Sequence, residues 1–186
     1  IAYSLYRRPN AELEARADAI IDMYEKMQDK DGYLNAWFQR VQPGRRSSDL
    51  RDHHELYCAG HLIEAAVAYY QATGKRKLLD IMSRFADYMI TVFGHGEGQL
   101  RGYCGHEEVE LALVKLARVT GEKKYLDLAK YLIDEGGQEP HFFTDEALRD
   151  GRDPKNFVQK TYEYSQSHLP VRDQTKVVGH AVRAMY

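Results

Sequence analysis

The sequence predicts an all-α fold built as an array of helical hairpins. Three observations carry this. Apolar residues recur at helical spacing in six segments, the segments alternate in how much of their circumference is apolar, and one motif returns after 47 residues.

Segment 11–28 places Leu13, Ala17, Ile20, Tyr24 and Met27 on one stripe, with Arg16, Asp18, Asp22 and Glu25 on other faces. Pro9-Asn10 is its start signal, because an Asn side chain accepts from the free N–H groups of a helix's first turn. Asp31-Gly32 marks a turn, and 33–51 reads as a long loop. Segment 54–73 carries the stripe Leu56, Gly60, Ile63, Val67 and Tyr70, and Gly74 suits the left-handed residue that closes a helix. Segment 76–93 lines up Leu78, Met82, Phe85, Met89 and Val92. Gly94, Gly96 and Gly98 then interrupt the chain.

Segment 106–120 carries only Glu110 and Lys115 as charges between Val109 and Ala117, so it is expected to be well buried. Segment 122–135 is one-sided, with Tyr125, Leu128, Ala129 and Leu132 opposite Lys123, Lys124, Asp127 and Lys130. The stretch 136–172 reads mostly as loop, and a sixth helix is expected over 173–186.

The repeat is Thr73-Gly74-Lys75-Arg76-Lys77-Leu78-Leu79-Asp80 against Thr120-Gly121-Glu122-Lys123-Lys124-Tyr125-Leu126-Asp127. Its period equals two helices and their connections. The first, third and fifth helices suit an outer layer and the second, fourth and sixth an inner one. Three such pairs make about half of an (α/α)6 toroid, with 1–186 as a single truncated domain. An open solenoid of the HEAT or tetratricopeptide sort is the alternative at this point.

Composition narrows the function. Apolar residues are 44% and charged residues 29%, as in a globular chain, and a formal charge of −2 points away from nucleic acid. No apolar run approaches the roughly 20 residues of a membrane span. Two cysteines cannot build a disulfide framework. Fourteen tyrosines and eight histidines are many for 186 residues and suit a polar cleft. The chain begins at Ile1 without a signal-peptide pattern and stops inside a helix-like run. Both ends therefore read as cuts, and a cytoplasmic location is the expectation.

In alternating hairpins all inner helices run the same way, so their N-termini meet at one end. His54, His106 and His180 lie at those starts and are expected to converge. Positive helix ends disfavour imidazolium, and a neutral imidazole both donates and accepts, as a sugar hydroxyl does. Each histidine taken alone is equally consistent with local backbone capping. His54, Cys58 and His61 share a helical face, but they span about 10 Å of axis, too far for one ion without a bend. No metal site is therefore expected in this segment. Glu107 and Glu108 read as helix-start residues, and no second carboxylate at glycosidase separation can be placed.

Several runs are distinctive together: His54-Glu55-Leu56-Tyr57-Cys58-Ala59-Gly60-His61-Leu62-Ile63-Glu64-Ala65, Gly105-His106-Glu107-Glu108-Val109-Glu110-Leu111-Ala112-Leu113, Tyr164-Ser165-Gln166-Ser167-His168, Gly179-His180-Ala181-Val182-Arg183-Ala184-Met185-Tyr186, and Asp31-Gly32-Tyr33-Leu34. In this order they resemble glycoside hydrolase family 127, the β-L-arabinofuranosidases. The resemblance covers almost the whole chain. It implies an (α/α)6 barrel followed by β-sandwich domains, and retaining hydrolysis of terminal β-L-arabinofuranosides. It also implies a zinc-bound cysteine nucleophile, a glutamate acid/base, and zinc held by a glutamate and three cysteines, all expected beyond Tyr186.

Cys58 and Cys104 match none of these, so the resemblance places no catalytic residue and no cofactor in this segment, with zinc in the full-length enzyme. His54, His106 and His180 match the family's sugar-contacting histidines. The implied partner is a carbohydrate, with self-association through the uncovered barrel face. Two other readings stay open: a different α/α-toroid sugar enzyme, such as an epimerase or unsaturated-uronyl hydrolase, and a non-enzymatic helical-repeat scaffold.

Overall fold

The computed structural model describes residues 1–156 and 161–186. Among them the secondary structure is helical apart from one isolated bridge between Phe93 and Leu100. The α-helices are α1 (Ala2–Arg7), α2 (Ala11–Met27), α3 (Glu55–Thr73), α4 (Lys77–Val92), α5 (Val109–Thr120), α6 (Lys123–Glu135), α7 (Phe142–Arg149) and α8 (Ala181–Met185). No helix among the described residues is long and apolar enough to cross a membrane.

The layers follow from which faces pack. α3 lies against α5, and each folds back on the helix that follows it, α4 and α6. α1, a short helix that the periodicity missed, also packs on α3, whereas α2 meets α4. The inner row is thus α1, α3 and α5, and the outer row α2, α4 and α6. Ile63, Ala66, Leu79, Met82, Leu113 and Leu116 are fully enclosed between the rows.

The 47-residue repeat is a repeated turn. Gly74 and Gly121 close α3 and α5 at φ +74° and +78°, where only glycine is unstrained. Just before them, Thr73 Oγ1 donates to the Tyr69 carbonyl at 2.7 Å and Thr120 Oγ1 to that of Leu116 at 2.8 Å. The equivalent lysines Lys77 and Lys124 each reach the preceding outer helix, pairing with Asp22 at 2.8 Å and Asp87 at 2.6 Å.

Several expectations are corrected. In α2 the buried residues are Ala17 and Ile21, while Ile20 is exposed; the helix is rotated so that Leu13, Tyr24 and Met27 flank the seam. The fourth helix begins at Val109, not at 106. Residues 102–108 are non-helical and lie against the turn at 50–51, with Gly105 N–H donating to the Leu50 carbonyl at 3.2 Å. A side chain at Gly105 would sit 2.3 Å from the Arg51 carbonyl oxygen.

The sixth helix does not start near 173. Val171–Asp173 is a single 3₁₀ turn and the helix is only Ala181–Met185. Gln166 Nε2 donates to the Val178 carbonyl at 2.7 Å, and Gly179 takes φ +73° against the Glu163 carbonyl, so residues 174–179 cannot coil. The loops are also richer than expected. Segment 33–51 contains a π-helical turn, Trp37–Val41, that buries Phe38, and 136–172 contains α7, which buries Phe142 and Phe143.

α5 is less enclosed than its sequence suggests. Its faces toward α3 and α6 are buried, but Leu111 and Val114 open on a groove of about 620 Å³. Ile133, Val171, Val177 and Tyr186 are among the other residues that line it.

Candidate functional site

His54, His106 and His180 meet. The His54 and His106 rings are 5.9 Å apart between centroids, and His106 and His180 are 6.0 Å apart. Tyr57 lies against His106 at 4.3 Å and His61 at 4.4 Å, and Tyr164 lies 5.2 Å from His180. His54 and His180 are the residues immediately preceding α3 and α8, and His106 stands three residues before α5. The expectation drawn from helix polarity therefore describes the geometry, although His106 sits on the approach to its helix rather than in it.

Each histidine is set by a different local device. His54 adopts the left-handed region, φ +53°, which a side-chain-bearing residue enters only under constraint. The constraint comes from its neighbour. Glu55 is buried and accepts from Tyr33 Oη at 2.5 Å and from Ser47 N–H at 2.9 Å, tying loop 33–51 to the start of α3. Glu146 on α7 fixes the same loop from the far side, accepting from the Leu50 N–H at 2.7 Å. His106 is held by the packing of Gly105 against Leu50 and Arg51. His180 is held by the Tyr164–His168 motif, which packs on 178–179, and by Arg183, whose guanidinium lies 4.2 Å over the Tyr164 ring and donates to the Tyr164 carbonyl.

Two of the rings have their tautomer fixed by backbone. His54 Nδ1 is 2.8 Å from the Asp52 carbonyl oxygen and His106 Nδ1 is 3.0 Å from that of Glu107. A carbonyl only accepts, so Nδ1 carries the proton in both. In the neutral rings Nε2 is then left as an acceptor. Burial lowers the pKa of His106, and the positive Arg183 pushes the same way, so this ring stays neutral through neutral pH.

Acidic groups lie beneath this mouth. Burial pushes Glu107 up to about 9 and Glu108 up to about 7, and raises Glu110. Glu107 and Glu108 are not in the first turn of a helix. Glu108 caps α5, its N–H accepted by Glu110 Oε2 at 3.1 Å, and Glu107 precedes it. Cys104 is buried, its Sγ donating to the His106 carbonyl, and burial raises its pKa; Cys58 is exposed on α3. Neither thiol is placed or activated as a nucleophile.

A zinc site of one glutamate and three cysteines does not fit these residues. The chain has two cysteines, one on the surface and one enclosed and hydrogen-bonded to backbone. Tyr57, Tyr164, Glu55, Glu146 and Arg183 are parts of the site that sequence reasoning missed. The available signal was acidic and basic residues at positions where helical spacing demands apolar ones.

Helix starts that gather histidine and tyrosine rings define an α/α-hairpin domain with a polar, aromatic-lined mouth, suited to a polyhydroxylated ligand. The chain belongs to the family described as "Beta-L-arabinofuranosidase, GH127 catalytic domain", whose model matches residues 1–186. It is 42% identical to the non-reducing end beta-L-arabinofuranosidase of Bifidobacterium longum subsp. longum, over 100% of this chain and 29% of that protein. The crystal structure of a GH127 beta-L-arabinofuranosidase from Geobacillus stearothermophilus superposes with a TM-score of 0.97 at 54% identity, covering 100% of this chain and 29% of that one. A second solved GH127 beta-arabinofuranosidase gives 0.83 at 37% identity, covering 100% and 27%. The chain thus spans under a third of the length of these relatives.

Proposed function

We propose that this chain forms part of the sugar-binding pocket of a retaining glycoside hydrolase acting on terminal β-L-arabinofuranosides, with His54, His106 and His180 contacting the sugar. The observation that carries the reading is the convergence of the three rings, two of them locked with Nδ1–H on backbone and Nε2 free to accept. A furanose hydroxyl that donates to such a nitrogen is fixed in direction, because the ring cannot exchange tautomers without losing its backbone bond. The histidines position the sugar and carry no proton in the chemistry. Family membership and the names of the relatives support the substrate class.

The nucleophile, the acid/base carboxylate and the family's zinc are proposed to reside in parts of the complete enzyme that these 186 residues do not include. Two cysteines, neither placed as a nucleophile, support that reading.

The test is made in the complete enzyme. His54→Ala, His106→Ala and His180→Ala should each lower kcat/KM by about 3- to 100-fold, since each removes roughly 0.5–1.5 kcal/mol of hydrogen bonding, and more where a partner is left unsatisfied. Melting temperature and zinc content should not change. Variants that melt earlier yet keep kcat/KM would show that the histidines serve the fold alone.

A further inference from the structure

We infer that this chain carries a second polar site, a divalent-cation site of the zinc type formed by His61, Glu64 and Glu108. Their ligand atoms lie within 4.8 Å of one another. His61 and Glu64 are at i and i+3 on α3, hence on one face, and Glu108 caps the neighbouring α5. Gly60 makes the approach possible: a side chain there would sit 2.8 Å from Glu108 Cγ.

The second observation is Glu108 itself. Its side chain is completely buried, and neither carboxylate oxygen has a hydrogen-bond partner among the described residues. Its Oε1 lies 3.2 Å from His61 Nδ1. Burying a carboxylate with no hydrogen bond and one imidazole beside it is costly, and a cation shared with that imidazole removes the cost. Glu64 already faces one cation, the Lys115 ammonium. An ion bound at this place would take over Glu64 and release Lys115, whose side chain is 42% exposed, to water.

The donor set chooses the metal. One imidazole and two carboxylates suit Zn²⁺ or Co²⁺, whereas Ca²⁺ and Mg²⁺ favour oxygen-only shells. Two carboxylates balance the charge of a divalent ion, and water fills the remaining positions. Tyr57 stands between this cluster and His106, so the ion sits beside the sugar mouth without sharing its ligands. It would bridge the inner helices α3 and α5. The expected site is not the one formed by His54, Cys58 and His61, whose thiol is on the surface.

The experiment is titration of the chelator-stripped 186-residue chain with Zn²⁺ by calorimetry and with Co²⁺ by visible absorption. One equivalent should bind and raise the melting temperature. His61→Ala and Glu108→Gln should each weaken binding at least about tenfold, with helical circular dichroism retained. His54→Ala and Cys58→Ala should leave it unchanged. Lys115→Ala should tighten it, a gain that misfolding cannot imitate. Absence of saturable uptake, uptake indifferent to His61→Ala and Glu108→Gln, loss with Cys58→Ala or His54→Ala, or weaker binding in Lys115→Ala would each overturn the site.

Discussion

Burial alters what the carboxylates of residues 107–110 are at neutral pH. Glu107, with a pKa of about 9, keeps its proton there, and Glu108, at about 7, is divided between its forms. In the unfolded chain both ionise near their ordinary 4.5. The folded state therefore binds more protons, and stability contributed by these groups is fully present below that value and is lost as pH rises through about 7 and then about 9. Glu107→Gln cannot ionise. Denaturant unfolding at pH 5.5 and 8.5 should show the native chain losing on the order of a kcal/mol or more relative to this variant across the interval. Equal pH dependence of the two would mean that Glu107 meets a counter-charge when folded.

At the scale of elements, the site depends on how closely α3 and α5 approach. Alanine normally favours a helix interior over glycine by roughly 0.5–1 kcal/mol. At Gly60 the order should reverse, because the added carbon meets Glu108 Cγ and the Val109 backbone at 2.8 Å. Gly60→Ala is expected to cost about 1–3 kcal/mol through overpacking. It should also displace His106 by shifting the segment that precedes α5. A melting temperature equal to or above that of the native chain would show that the two helices can part without penalty.

The whole molecule leaves an inner-row surface open. The groove of about 620 Å³ beside α5 has Leu111, Val114, Ile133, Val171 and Val177 along it. Ile133, Val171 and Val177 are exposed. Contiguous apolar surface of this sort drives association. The isolated 186-residue chain should self-associate and bind a hydrophobic dye. A compact monomer in sedimentation that binds none would contradict this. The same chain should not turn over an aryl β-L-arabinofuranoside, because neither of its thiols is placed as a nucleophile; turnover free of contaminating hydrolase would overturn the proposed division of the enzyme.

The sequence by itself determined the hairpin array, the start of α2 and the closures of α3 and α5. Periodicity is a local property, and Thr-Gly closures, the Asn10 cap and apolar stripes act within a few residues of themselves. It also singled out the three histidines, because alternation of hairpins fixes helix polarity without any distance. Tertiary structure alone decided the rest. The start of α5 moved to Val109 because residues 102–108 are recruited by Leu50 and Arg51, some fifty positions away. The helix expected from 173 shrank to Ala181–Met185 because Gln166 holds the Val178 carbonyl and Gly179 turns through φ +73° against the Glu163 carbonyl. The raised carboxyls, the locked tautomers of His54 and His106, and the meeting of Glu108 with His61 all arise from what is packed around a group. Desolvation and long-range hydrogen bonds depend on neighbours in space, and no local pattern records them.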